Sequence, residues 1–308
     1  MGKVAFVFPG QGAQKVGMGK AIVDADAAAR TTFDAADAAL GESLSTLCFE
    51  GPEADLMRTA NTQPAILTTS IALLRAFGES PDVVAGHSLG EYSANVCAGT
   101  LAFEDAVRLV RLRGLAMQDA VPEGAGGMAA VMGVGADALE QICEATDGIV
   151  EPVNYNSPGQ IVIAGAADAV KRAGEALAAA GGKVIPLAVS APFHSSLMKP
   201  AEERLQAALP SVAFHDAKFP IYANVDASPL ESSDATQSAL VRQVSRSVRW
   251  QQSVERMIAD GVALFIEIGP GRVLSGLIGR ISKEVKRANI EGPADMDKAR
   301  ALLREIRG

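Results

Sequence analysis

The 308 residues carry 48% hydrophobic and 21% charged side chains, which excludes a disordered or fibrous protein and leaves room for one large domain with an insertion, or for two domains. A net charge of −8 and an isoelectric point near 5.1 argue against a general nucleic-acid binder. Three scattered cysteines (Cys48, Cys97, Cys143) form no CxxC pair and no disulfide framework, no apolar run is long enough for a bilayer, and the Met1-Gly2-Lys3 start lacks a signal-peptide pattern, so a cytoplasmic location away from membranes is expected.

In chain order, residues 3–8 (KVAFVF) read as a buried parallel strand that stops at Pro9-Gly10-Gln11-Gly12. The Ala- and Asp-rich stretch 21–40 predicts helix, as does 65–77, with Pro64 near its start. Residues 83–85 predict a strand, 91–98 a helix, and 103–118 an amphipathic helix whose apolar side holds Ala106, Leu109, Val110 and Leu112. The pattern then changes: strand 128–134, helix 136–145, strands 149–154 and 160–164, helix 168–180, strand 183–189. This βαββαβ order is the split unit of the ferredoxin-like fold, and glycine-rich 124–127 and the region of Pro192 flank it. Helix 199–209, strand 220–225, a mostly helical 241–260, strand 263–268 and helix 273–281 complete the chain. Strands alternating with helices imply a parallel sheet covered on both faces. The expected architecture is α/β: a large subdomain from 1–125 and 192–308, and an inserted ferredoxin-like small subdomain from 126–191.

The most informative short segment is Gly86-His87-Ser88-Leu89-Gly90, directly after a β-branched run and directly before a helix pattern. A serine on such a strand-to-helix turn presents its hydroxyl at the positive end of a helix, which makes Ser88 a candidate nucleophile. It needs a base, and there are three histidines. His87 adjoins the serine, and side chains diverge at a tight turn. His215, in Phe214-His215-Asp216, has a surface role by default. His194 stands where the inserted block returns to the large subdomain, and a joint of that kind faces a cleft. It is therefore the candidate base, with a purely structural histidine as the alternative. No acid stands out as a third member, which favours a Ser-His dyad over the Ser-acid-His order of an α/β-hydrolase esterase. The Leu89 N–H comes with the turn as an oxyanion donor. A second donor is available from Gly10-Gln11-Gly12, at the C-terminal end of the first strand, although such a segment is also a plain turn. Arg113, late in an apolar helix, is either solvated, as Arg108 and Arg111 are expected to be, or turned into the cleft against a carboxylate.

Taken together, seven segments in order resemble the malonyl-CoA:acyl carrier protein transacylases of type II fatty-acid synthesis. They are Phe8-Pro9-Gly10-Gln11-Gly12-Ala13-Gln14, Asn61-Thr62-Gln63-Pro64-Ala65, Gly86-His87-Ser88-Leu89-Gly90-Glu91-Tyr92-Ser93-Ala94, Arg111-Leu112-Arg113-Gly114, the stretch from Asn154 to Gln160, Pro192-Phe193-His194, and Glu267-Ile268-Gly269-Pro270-Gly271. The resemblance implies an α/β-hydrolase-like large subdomain with a ferredoxin-like small one. It implies Ser88 as nucleophile, His194 as base, and Gln11 and Leu89 as the oxyanion hole. Arg113 would grip the malonyl carboxylate, Gln63 line the pocket, and the backbone carbonyl of Gln243 orient the histidine. Asn154 and Asn156 are expected near the cleft, and Phe193 matches the malonyl-selective form of its motif. The implied partners are malonyl-CoA and acyl carrier protein, with no metal or redox cofactor and with a monomeric protein. The carrier is acidic, so a basic patch is needed. Arg272, Arg280, Lys283, Lys286 and Arg287 are the first candidates, and Lys171, Arg172, Lys183 and Lys199 the second. Two other functions fit the same residues: a serine thioesterase or esterase, and a carrier-binding scaffold without catalysis.

Overall fold

The computed structural model describes residues 2–189 and 191–308. Met1 and Ser190, the latter in the segment leading to His194, lie outside the described residues. In chain order the strands are β1 (Lys3–Phe8), β2 (Val83–Gly86), β3 (Gly126–Met132), β4 (Val150–Ser157), β5 (Gln160–Ala166), β6 (Lys183–Pro186), β7 (Ile221–Tyr222), β8 (Pro229–Leu230), β9 (Val262–Ile268) and β10 (Lys286–Ile290). One sheet has the order β10-β9-β1-β2-β7-β8, parallel except for the short edge strand β8. The other, β4-β5-β3-β6, is antiparallel. The expected α/β architecture is therefore present, with the βαββαβ block forming its own sheet.

Strand β1 shows why the large sheet is covered on both faces. Its side chains alternate: Val4, Phe6 and Phe8 pack with Phe33, Ile66 and Phe77, while Ala5 and Val7 pack with Trp250, Val254 and Leu277. Wholly apolar strands of this kind are stable only between two helical layers. The small sheet keeps a separate core of Val131, Leu139, Ile163 and Leu177.

Four elements depart from the sequence reading. The helix expected over 21–40 breaks at Asp26, whose side chain accepts the Ala29 N–H at 2.9 Å and so starts a second helix, Ala27–Leu40. The helix at Pro64 begins earlier, at Thr59. The strand expected over 220–225 shrinks to β7, leaving Asn224 just beyond its end. Of the helix expected over 241–260, only the end of Ser233–Arg242 and the later helix Trp250–Ala259 form, with a break between them. Between them Val248 donates to Val153 O at 2.8 Å and accepts from Tyr155 N at 2.9 Å, which ties the large lobe to β4. Strand β10 and the C-terminal helix Met296–Arg307 were not anticipated. Among the described residues no helix is long and apolar enough to cross a membrane.

Candidate active site

Strand β2 lies between β1 and β7, and its C-terminal end opens into the helix Gly90–Ala98. His87 N donates to Phe8 O at 3.0 Å, and the chain then turns sharply at Ser88, which sits at φ 52°. A non-glycine residue in the left-handed region carries strain that its surroundings must hold. Both flanking glycines are required by space: a Cβ on Gly86 would lie 1.9 Å from the Gly90 carbonyl carbon, and one on Gly90 would lie 2.0 Å from Phe8 O. Asn224 straps the turn from the next strand. Its Oδ1 accepts the Ser88 N–H at 2.7 Å, and its Nδ2 donates to Gly86 O at 2.7 Å.

His194, also left-handed at φ 65°, places Nε2 2.7 Å from Ser88 Oγ. Its Nδ1 lies 2.7 Å from the Gln243 carbonyl oxygen. A carbonyl only accepts, so Nδ1 carries the proton and Nε2 presents a lone pair to the serine hydroxyl. The ring is 4% exposed. Burial, then the Arg113 charge, pushes its pKa down to about 3, so the imidazole is neutral over the physiological range.

Arg113 comes from the helix Phe103–Asp119 and is 2% exposed. Its Nη1 donates to Gln63 Oε1 at 2.9 Å, and its Nη2 donates to Gln243 Oε1 at 2.9 Å and to Ser88 Oγ at 3.1 Å. Every one of these acceptors is uncharged, and Nε has no acceptor among the described residues. A buried guanidinium without a bonded carboxylate is costly, and an acidic ligand relieves that cost.

Gln11, Gln63, Ser88, Leu89, Arg113 and His194 line one cavity of about 120 Å³. Its remaining wall is mostly apolar, including Met117, Met128 and Phe193. All six residues singled out for the pocket thus meet in one place. Gln243 stands behind it and touches both His194 and Arg113. His87 is turned away from the hydroxyl, with Nε2 2.8 Å from Asn156 Oδ1 and its ring 5.8 Å from that of Trp250. His215 is exposed. Arg108 is exposed as expected, but Arg111 is not simply solvated: it is half-buried, bonds Asn61 Oδ1 at 2.7 Å and pairs with Glu42. Asn154 also lines the cavity. Asn224 escaped notice because 220–225 read as one continuous strand. The available signal was position, since residues just past a parallel strand's C-terminal end face the cleft.

An α/β fold that buries a histidine against a serine on a strand-to-helix turn, with a cation beside them, is built for chemistry through an acyl-serine ester. The model of the acyl transferase domain family matches residues 5–304, and the chain belongs to that family of acyltransferases. Within it the chain falls among the malonyl CoA-acyl carrier protein transacylases. It is 47% identical to the protein of that name from Bacillus subtilis (strain 168), over 99% of this chain and 98% of the relative. It is 48% identical to that from Escherichia coli (strain K12), over 98% of this chain and 100% of the relative. An acyl carrier protein S-malonyltransferase from Vibrio cholerae superposes with a TM-score of 0.94 at 45% identity, covering 96% of this chain and 99% of that one. A malonyl-transacylase solved in complex with a type II PKS acyl-carrier protein gives 0.94 at 46% identity, covering 96% and 98%.

Proposed function

We propose that the enzyme moves a malonyl group from malonyl-CoA to the phosphopantetheine thiol of acyl carrier protein by a ping-pong route through an ester on Ser88. As Ser88 Oγ attacks the thioester carbonyl carbon, its proton passes to His194 Nε2. The Gln243 carbonyl stabilises the resulting imidazolium in place of a carboxylate. The backbone N–H groups of Leu89 and Gln11 are assigned to the oxyanion, a role typically worth about 3–4 kcal/mol per donor. When the C–S bond breaks, His194 returns the proton to the departing CoA thiolate. The carrier's thiol then gives its proton to His194, its sulfur attacks the malonyl ester, and Ser88 Oγ leaves with the proton. The acyl group arrives activated as a thioester, so the reaction calls for no metal or redox group.

The observation that carries this reading is the position of Arg113: buried, hydrogen-bonded to no acid, and 3.1 Å from Ser88 Oγ. A three-carbon acyl group bound to that oxygen brings its far carboxylate to the guanidinium. Such pairing favours malonyl over acetyl, which would leave the cation buried and unmatched. The cytoplasm is the compartment this reading assigns, in keeping with three free cysteines. Mass spectrometry of the protein mixed with malonyl-CoA is expected to show one malonyl adduct on Ser88, and none on Ser88→Ala. Adding holo-carrier is expected to discharge it as malonyl-carrier. Release of free malonate instead would make the enzyme a thioesterase.

A further inference from the structure

Glu91 follows the serine motif, is 1% exposed, and has no part in the chemistry described above. One of its carboxylate oxygens, Oε2, accepts the Gln243 Nε2–H at 2.8 Å and the Asn224 backbone N–H at 3.0 Å. Each of those residues then reaches the reacting groups. Gln243 receives Arg113 Nη2 on its side-chain oxygen and His194 Nδ1 on its backbone oxygen. Asn224 holds Ser88 N and Gly86 O across the strained turn. We infer that Glu91 is a positioning residue for the transfer: a single buried acceptor that sets the nucleophile, the base and the substrate-binding arginine relative to one another through Gln243 and Asn224.

The side-chain amide of Gln243 explains why an acceptor is needed there. Its two ends are nearly the same shape and opposite in hydrogen-bonding character. With Nε2 toward Glu91, its oxygen faces the guanidinium. Turned over, it would set an NH₂ against Arg113, donor against donor, and push the arginine away from Ser88. Nε2 also donates to Ser88 O at 2.9 Å, so this amide touches the turn directly as well. Burial pushes the Glu91 carboxyl up to about 7, against the pull of its two donors and of Arg113. Both of its bonds run through one oxygen, Oε2, so its role rests on where that acceptor lies.

This inference rests on the transfer reading, and the test separates the two. Glu91→Gln keeps an acceptor oxygen at the right reach without charge. Glu91→Asp keeps the charge but withdraws the oxygen by one methylene. Malonyl and acetyl transfer to holo-carrier are measured for both variants and the parent, each normalised to Ser88 sites counted with a fluorophosphonate, with thermal melts alongside. Glu91→Gln is expected to stay within about threefold of the parent per site. Glu91→Asp is expected to lose roughly 100-fold in malonyl kcat, the scale of a misplacement near 1 Å, with a lowered malonyl-to-acetyl ratio as Arg113 loosens. A merely structural role would lower the melting temperature and the number of labelled sites without moving the ratio per site. Parent-like kcat and ratio in Glu91→Asp, or a larger loss in Glu91→Gln than in Glu91→Asp, would overturn the inference. A parent protein that takes the fluorophosphonate yet transfers no malonyl would instead overturn the transfer reading.

Discussion

Arg113 is a buried cation whose bonded neighbours are two glutamine oxygens and a hydroxyl. Replacing it with alanine leaves an incoming malonate carboxylate unmatched in an apolar-walled cavity. Malonyl kcat/KM is expected to fall roughly 100-fold or more, a loss of about 3 kcal/mol of transition-state stabilisation, while acetyl transfer holds or rises. Steady-state kinetics with the two acyl-CoAs check this, and an unchanged ratio would remove the arginine from substrate recognition. Residues of this kind were legible in the sequence to different degrees. Ser88 is marked by its flanking glycines, and His194 by being the one histidine at a joint. Arg113 and Arg111 are indistinguishable by residue type and lie two apart on one helix; packing sends one into the cavity and the other to Asn61 and Glu42. Asn224 had only its position past a strand end to mark it, and Glu91 nothing beyond its place after the serine motif, because their roles come from partners 133 or more positions away along the chain.

At the scale of elements, the strand-to-helix turn works because β1, β2 and the following helix approach more closely than side chains allow. Gly90→Ala places a methyl group 2.0 Å from Phe8 O, so the helix must retreat. A loss of about 1–3 kcal/mol in urea unfolding is expected, together with slower fluorophosphonate labelling of Ser88. Wild-type stability and labelling would show that the turn tolerates the extra carbon. Most strands and helices could be read from the pattern because apolar runs and 3.6-residue periodicity are local properties. The break at Gln243 could not. The run Val241-Arg242-Gln243-Val244 continues a helical pattern, yet backbone bonds from Val248 to β4 override it. That override sets the Gln243 carbonyl against His194, so the least legible element supplies the base with its partner.

Over the whole molecule, the two sheets meet along the cleft. Arg280, on the helix Val273–Ile281, donates to Gln160 Oε1 of β5 at 2.9 Å. That helix also presents Val273, 52% exposed, beside a cavity that reaches Gln11. The basic patch sketched from the sequence is thereby divided. Lys286 pairs with Glu305 and Arg287 bonds Ser282 O, both from β10, whereas Arg272 and Lys283 are exposed and outside the ion pairs of the described residues. Of the second set, Arg172 pairs with Asp168 and Lys199 with Glu202. For an acidic carrier, Arg272→Glu with Lys283→Glu is expected to raise carrier KM roughly tenfold and flatten its salt dependence, with malonyl-CoA KM unchanged. Equal carrier KM and equal salt slope would place docking elsewhere. The chamber around Ser88, at about 120 Å³, makes the molecule a turnstile. On the proposed ping-pong route one thioester arm enters at a time, so free CoA is expected to compete with the carrier's arm for the same space. Product-inhibition kinetics of CoA against holo-carrier check this, and CoA that leaves carrier KM unchanged would show that the two arms do not share it.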